Sequence, residues 1–224
     1  GRHLAPLIFR DAFQRGKANM PMNFGHQMAS IAHAIVGTLM SAWNVYHKHL
    51  PRDSLLGYSY PIALQLSLTV GYFIWDFFAT LRNVEYYGAA MMMHATMGLV
   101  SFTLALSPTL MGYVPYYLMF ETSTVFLNMH WFIEKLGLPR QLLIANDIAL
   151  LVTFFSVRLV FGSRTSYYLA YDLMAHKASL GPFRYGAIWS ALILTNALNY
   201  FWFYKLVRSA AKHFRQRDGL RASD

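Results

Sequence analysis

Six stretches of about twenty residues, each apolar and nearly free of charge, constrain this chain more than any other feature. They run approximately over residues 27–46, 60–80, 88–107, 112–132, 142–162 and 185–207. A bilayer core needs roughly 20 apolar residues per crossing helix. Hydrocarbon offers a backbone no hydrogen-bond partners, so a crossing segment must satisfy its own, as a helix does. The expected fold class is therefore all-α: a polytopic membrane protein built as a bundle of six transmembrane helices. Composition excludes a soluble alternative, since only 13% of the 224 residues are charged, about half the usual share in soluble domains.

Prolines punctuate the spans. Pro61 opens the second and Pro108 closes the third, where a missing N–H does little harm. Pro115 and the polar run Glu121-Thr122-Ser123-Thr124 interrupt the fourth, which predicts a kinked or partly buried helix there. Residues 163–184 read as the longest connection. No repeat or linker divides the chain, so one membrane domain is expected over 26–210. A juxtamembrane segment (1–25) precedes it, and a basic tail (211–224) comes after it. Nothing in residues 1–25 reads as a signal peptide.

The chain carries no cysteine, which excludes disulfides, a thiolate nucleophile and Cys-based zinc sites. Its net charge of +9 lies in short flanks between apolar stretches, a pattern for anionic headgroups rather than nucleic acid. With six spans, thirteen of the 19 Lys and Arg fall on the face that holds both termini. The positive-inside rule then places both termini in the cytosol.

Ionisable side chains in hydrocarbon cost about 2.5–3.5 kcal/mol each on insertion scales, yet His33, Asp76, His94, Glu121, Asp147 and Arg158 all fall within spans. At about 1.5 Å rise per residue, His33, Asp76, His94 and Asp147 lie on one layer roughly 7–10 Å below the cytosolic face. One polar cavity open to the cytosol is expected from that agreement. Asp147 and Arg158, eleven residues apart, are expected on one helix face. Each residue also has a structural reading. His33 lies in a row of small residues that lets helices approach closely, His94 and Asp76 fit buried hydrogen-bonding roles, and Arg158 leans structural. No His-x-x-x-His or Glu-x-x-His spacing supports a metal, and no cofactor is expected. A histidine oriented by a carboxylate, acting as base toward a hydroxyl or amine, is the better chemical reading.

Certain segments then stand out in order: Ser30-Ile31-Ala32-His33-Ala34, Gly71-Tyr72-Phe73-Ile74-Trp75-Asp76, Met93-His94-Ala95-Thr96, Phe120-Glu121-Thr122-Ser123-Thr124 with Leu127-Asn128-Met129-His130-Trp131, Phe154-Phe155-Ser156-Val157-Arg158, and Asn199-Tyr200-Phe201-Trp202-Phe203. Their order and spacing resemble the TLC-domain family of polytopic endomembrane proteins, which includes the ceramide synthases. The resemblance covers roughly residues 26–210. It implies six helices around a lipid-accessible cavity that admits a long acyl chain, in the endoplasmic reticulum or another endomembrane. Ceramide synthases use a His-His pair here. Met93 stands at its first position and His94 at its second, and only Glu121 remains of the acids on the next helix. The resemblance is thus to the smaller TLC-domain proteins.

Two readings of function stay open. One is a lipid-handling protein that holds an acyl chain in its bundle and acts in membrane lipid homeostasis, with Asp147, Ser123, Asn128, Asn199 and Arg158 lining the cavity. The other is an acyltransferase with acyl-CoA as co-substrate, in which His94 is base or nucleophile, Asp76 or Glu121 assists, and His33 is a further candidate. A transporter is disfavoured because no inverted repeat is found. The expected partners are membrane lipids and, in the second reading, acyl-CoA, and homodimerisation is left open.

Overall fold

The structure, a computed structural model, describes residues 20–107 and 109–221, with side chains from residue 23 to residue 211. Pro108, residues 1–19 of the expected 1–25 segment and the side chains of the basic tail beyond residue 211 lie outside the described residues.

The chain forms helices α1 (Met20–Tyr46), α2 (Tyr60–Leu81), α3 (Val84–Tyr87) and α4 (Ala89–Leu104), followed by a 3₁₀ turn (Met111–Tyr113). Next come α5 (Val114–Leu118), α6 (Glu121–Leu136) and α7 (Arg140–Phe154), a π-helical segment (Phe155–Val160), α8 (Phe161–Ala175) and α9 (Lys177–Arg221). No strand occurs among the described residues. Asn23–Tyr46, Tyr60–Leu81 and Arg140–Ala175 are long and apolar enough to cross a membrane, and Ala89–Leu104 is a shorter apolar helix. The expected all-α membrane bundle is what the chain forms.

Its helices close into a ring. Neighbour packs on neighbour in the order α4, α2, α1, α6, α7 with the π segment, α9, and back to α4. The short α5 lies against α1, α2 and α8. The fourth pass takes the kinked form that Pro115 and the polar run foretold: a 3₁₀ turn, α5 with Pro115 in its first turn, and then α6.

The fifth pass differs from expectation. Helix continues through the π segment and α8 to Ala175, a rod of 36 residues or about 54 Å. Residues 163–184 are therefore mostly helix rather than a connection. The rod meets α9 at a corner near His176, and Gly181 (φ 69°) redirects the chain ahead of Pro182, a positive φ that glycine adopts without steric cost.

Close approach and buried polar pairs hold the ring. Gly98 on α4 admits the ring of Phe73 from α2 so closely that a Cβ there would lie 2.1 Å from Phe73 Cε1. Between α1 and α2, Asn44 Nδ2 donates to Gln65 Oε1 at 2.8 Å. Gln65 Nε2 donates in turn to Ser41 Oγ and to the Gly37 carbonyl. Such satisfied pairs favour helix association in lipid, by about 0.6 kcal/mol each.

The end of the ring away from the termini is tied by the α1–α2 loop. Asp53 Oδ1 accepts from the Leu55 and Leu56 N–H groups at 2.8 Å each. The Leu55 carbonyl accepts from Leu110 N at 2.6 Å, and that of Ser54 from Gly112 N at 3.0 Å. Leu55 enters a buried cluster with Tyr113, Leu169, Leu173 and Ile188.

Candidate functional site

The ring surrounds a partly open cavity of about 130 Å³ bounded by α2, α4, α5, α6, the π segment, α8 and α9. Its chemistry is graded along the helices. Ala105, Leu110, Tyr113, Leu169 and Ile188 make one end apolar, whereas His94, Glu121, Arg158 and Asn199 gather toward the other. On α9 the lining runs from Ile188 to Trp202, about 21 Å of helix at 1.5 Å per residue. That is longer than one leaflet's share, about 15 Å, of a hydrocarbon core roughly 30 Å thick.

Arg158 reaches the cavity from the π segment. A wider π turn rotates the residues after it out of the α-helical register, and such bulges are frequent at functional sites. Asp147 and Arg158 both reach α6, at His130 and at Ser123 with Thr124, and Arg158 also reaches Asn199 on α9. Arg158 Nε donates to Ser123 Oγ at 2.9 Å, Nη2 to Thr124 Oγ1 at 3.0 Å and Nη1 to Asn199 Oδ1 at 3.3 Å. Its guanidinium carbon stands 5.0 Å from the Phe154 ring centroid and 5.8 Å from that of Phe120. Every hydrogen-bond partner is neutral, and no carboxylate among the described residues reaches salt-bridge distance. A guanidinium carries five N–H donors, so two stay uncommitted.

Asn199 is 4% exposed, and its Nδ2 has no partner among the described residues. His94 and Glu121 line the same cavity and make no hydrogen bond there. The nearest ring to His94 is Phe73, 6.1 Å away between centroids.

The predicted polar layer divides into separate groups. Asp76 is 2% exposed and faces His26 Nε2 at 3.2 Å, not His94. His26 lies between Trp75 and Tyr87, at 5.4 and 4.8 Å. Burial pushes the Tyr87 phenol, in the short connecting helix α3, up to about 12, and Tyr86 and Asp76 add to the rise. His33 stacks flat on Tyr72 at 4.0 Å, with neither ring nitrogen hydrogen-bonded among the described residues. Asp147 lies apart from the cavity lining. It meets His130 Nδ1 at 2.5 Å across the α6–α7 contact, each side chain 38% exposed. Ser123 supports Arg158 from α6, and Asn128 Nδ2 donates to Ser30 Oγ at 3.0 Å, joining α6 to α1.

Of the nine candidates, the fold brings His94, Glu121, Arg158 and Asn199 to the cavity. Two histidines escaped the sequence reading as carboxylate partners. His26 stands seven residues before His33, two helical turns and so the same face, but one residue ahead of the span's expected start. His130 was visible only as part of a motif, because nothing in the sequence sets the rotation of α6 against α7. No cluster of three metal-ligating side chains occurs among the described residues.

A family model described as the TLC domain matches residues 23–208. An uncharacterised TLC domain-containing protein of Schizosaccharomyces pombe is 36% identical over 69% of this chain and 54% of its own length. Topoisomerase I damage affected protein 4 of Saccharomyces cerevisiae is 33% identical over 65% of this chain and 54% of its own. TLC domain-containing protein 4-B of Danio rerio is 28% identical over 92% of this chain and 81% of its own. The chain spans about half the length of the first two. No solved structure matches it.

Proposed function

The chain belongs to the TLC-domain family of membrane proteins, and from that premise we propose that it binds the acyl chain of a lipid inside its helix ring and acts in membrane lipid homeostasis. The single observation that carries this reading is the graded cavity. Its apolar length suits a hydrocarbon tail, and it ends at a half-buried Arg158 whose partners are all neutral. A cation within a membrane span is costly unless its charge is used, and a lipid head supplies a use. Both termini facing the cytosol of the endoplasmic reticulum or a related endomembrane completes the reading. Photo-crosslinking in nanodiscs tests it. A diazirine-bearing acyl lipid should label Phe102 on α4 and Leu192 on α9, both in the cavity lining. Labelling confined to outward residues such as Leu39 and Trp43 would overturn it.

His94 and Glu121, without hydrogen-bond partners in that cavity, favour a second reading, acyl transfer from acyl-CoA. His94 would take the proton of a hydroxyl or amine as that group attacks the thioester carbonyl. The acyl–oxygen or acyl–nitrogen bond forms, the carbon–sulfur bond breaks, and the proton passes to the departing thiolate. Asp76, engaged by His26, leaves the assisting part to Glu121. Labelled acyl-CoA with a mixed lipid extract should give an acylated product that His94→Ala abolishes. Unchanged turnover in that variant would sink the role of His94.

A further inference from the structure

We propose that the polar end of the cavity selects a single-chain lipid with an uncharged acyl head, one bearing a carbonyl oxygen beside a free hydroxyl, and that Glu121 is the residue that refuses anionic heads. The inference rests on the lipid-binding reading and adds to it the chemistry of the head.

Three observations carry it. Arg158 keeps two N–H donors uncommitted after serving Ser123, Thr124 and Asn199. Asn199, 4% exposed, lines the same space and carries an unpartnered amide nitrogen. Its carbonyl oxygen is already taken by Arg158, so this amide can only donate. Together these donors await an acceptor oxygen, and an unpaired buried donor costs about 1–3 kcal/mol.

Donors alone would suit a carboxylate or a phosphate equally. Glu121 decides between them. It lines the cavity beyond ion-pair distance of Arg158 and is the lone Asp or Glu in the lining, so the site holds one formal cation and one formal anion. A neutral head keeps that balance, and its hydroxyl finds an acceptor in the Glu121 carboxylate. An anionic head leaves a net negative charge in a buried, low-dielectric space, where like charges repel strongly. The lining runs in single file for about 21 Å along α9, a length that suits one chain.

The test is a competition read by native mass spectrometry on the purified, delipidated chain in neutral detergent. The probes are monooleoylglycerol, oleate and oleoyl-lysophosphatidate, which share one tail and differ in head charge. The wild type should favour monooleoylglycerol by about tenfold or more over either anion, tenfold being 1.4 kcal/mol. Glu121→Gln keeps the size of the side chain and removes its charge, and should bring oleate to within about twofold of monooleoylglycerol. Asn199→Leu removes a donor without changing charge, and should weaken all three probes alike. Wild type that takes oleate as readily as monooleoylglycerol, or Glu121→Gln with an unshifted preference, would overturn the assignment while leaving lipid binding standing. Binding of none of the three would remove the lipid-binding reading itself. A melting curve for each variant confirms that the fold persists.

Discussion

Two histidines in the same ring carry different loads. His26 Nε2 stands 3.2 Å from Asp76 Oδ1 in a setting where both side chains are at most a tenth exposed. Removing one partner of such a pair leaves the other buried and unsatisfied, at a cost of about 1–3 kcal/mol. His94 makes no hydrogen bond among the described residues and has none to lose. His26→Ala should therefore lower the melting temperature in detergent markedly, and His94→Ala should leave it nearly unchanged. Equal losses would show that His94 is part of the structural framework. This contrast is where the sequence was least legible. Depth along a helix can be counted from residue number, and it placed His33, Asp76, His94 and Asp147 on one layer. Which of them face each other depends on helix rotation, set by contacts such as Phe73 seated on Gly98. Asp76 accordingly turns to His26 and Asp147 to His130.

Among the elements, the rod of α7, the π segment and α8 bears most on the site. The apolar pattern over 142–162 announced a span, but the π geometry at Phe155–Val160 leaves no mark in composition, so the reach of Arg158 to both α6 and α9 could not be foreseen. Deleting Val157 should convert the segment to regular α-helix and swing Arg158 off Ser123 and Asn199. We expect helicity by circular dichroism to persist while lipid retention falls about tenfold or more; retention unchanged by the deletion would detach the π geometry from the site. A second element, the loop after α1, closes the apolar end of the cavity. The Leu56 N–H, with the Leu55 N–H and nearby His176, holds the Asp53 carboxyl below the usual carboxylate range. A folded-state value below the unfolded one means that the contact contributes fully above about pH 4 and is lost as pH falls through the lower folded value. Melting temperature should thus drop on acidification in that window, and less so in Asp53→Asn. Equal acid sensitivity of the two would remove Asp53 from the closure.

Taken whole, the molecule shows why its class was plain from the sequence and its interior was not. Membrane insertion depends on length and hydropathy, which the chain states openly in segments such as Asn23–Tyr46 and Tyr60–Leu81. Ring closure, with α9 returning to α4, depends on shape. The excess of Lys and Arg on the face that holds the termini predicts an orientation, and the absence of cysteine makes it directly measurable. Single cysteines at Arg82, after α2, and at Arg52, in the α1–α2 loop, should behave oppositely in sealed microsomes. The first should react with an impermeant maleimide and the second only after permeabilisation, and the reverse would invert the topology.

The central claim is that a lipid head is held at Arg158, and native mass spectrometry of the chain released from membranes tests it most directly. Wild-type protein should carry one tightly held single-chain lipid, and Arg158→Met protein, with similar bulk and no charge, should emerge bare. Equal lipid occupancy in the two proteins would contradict it.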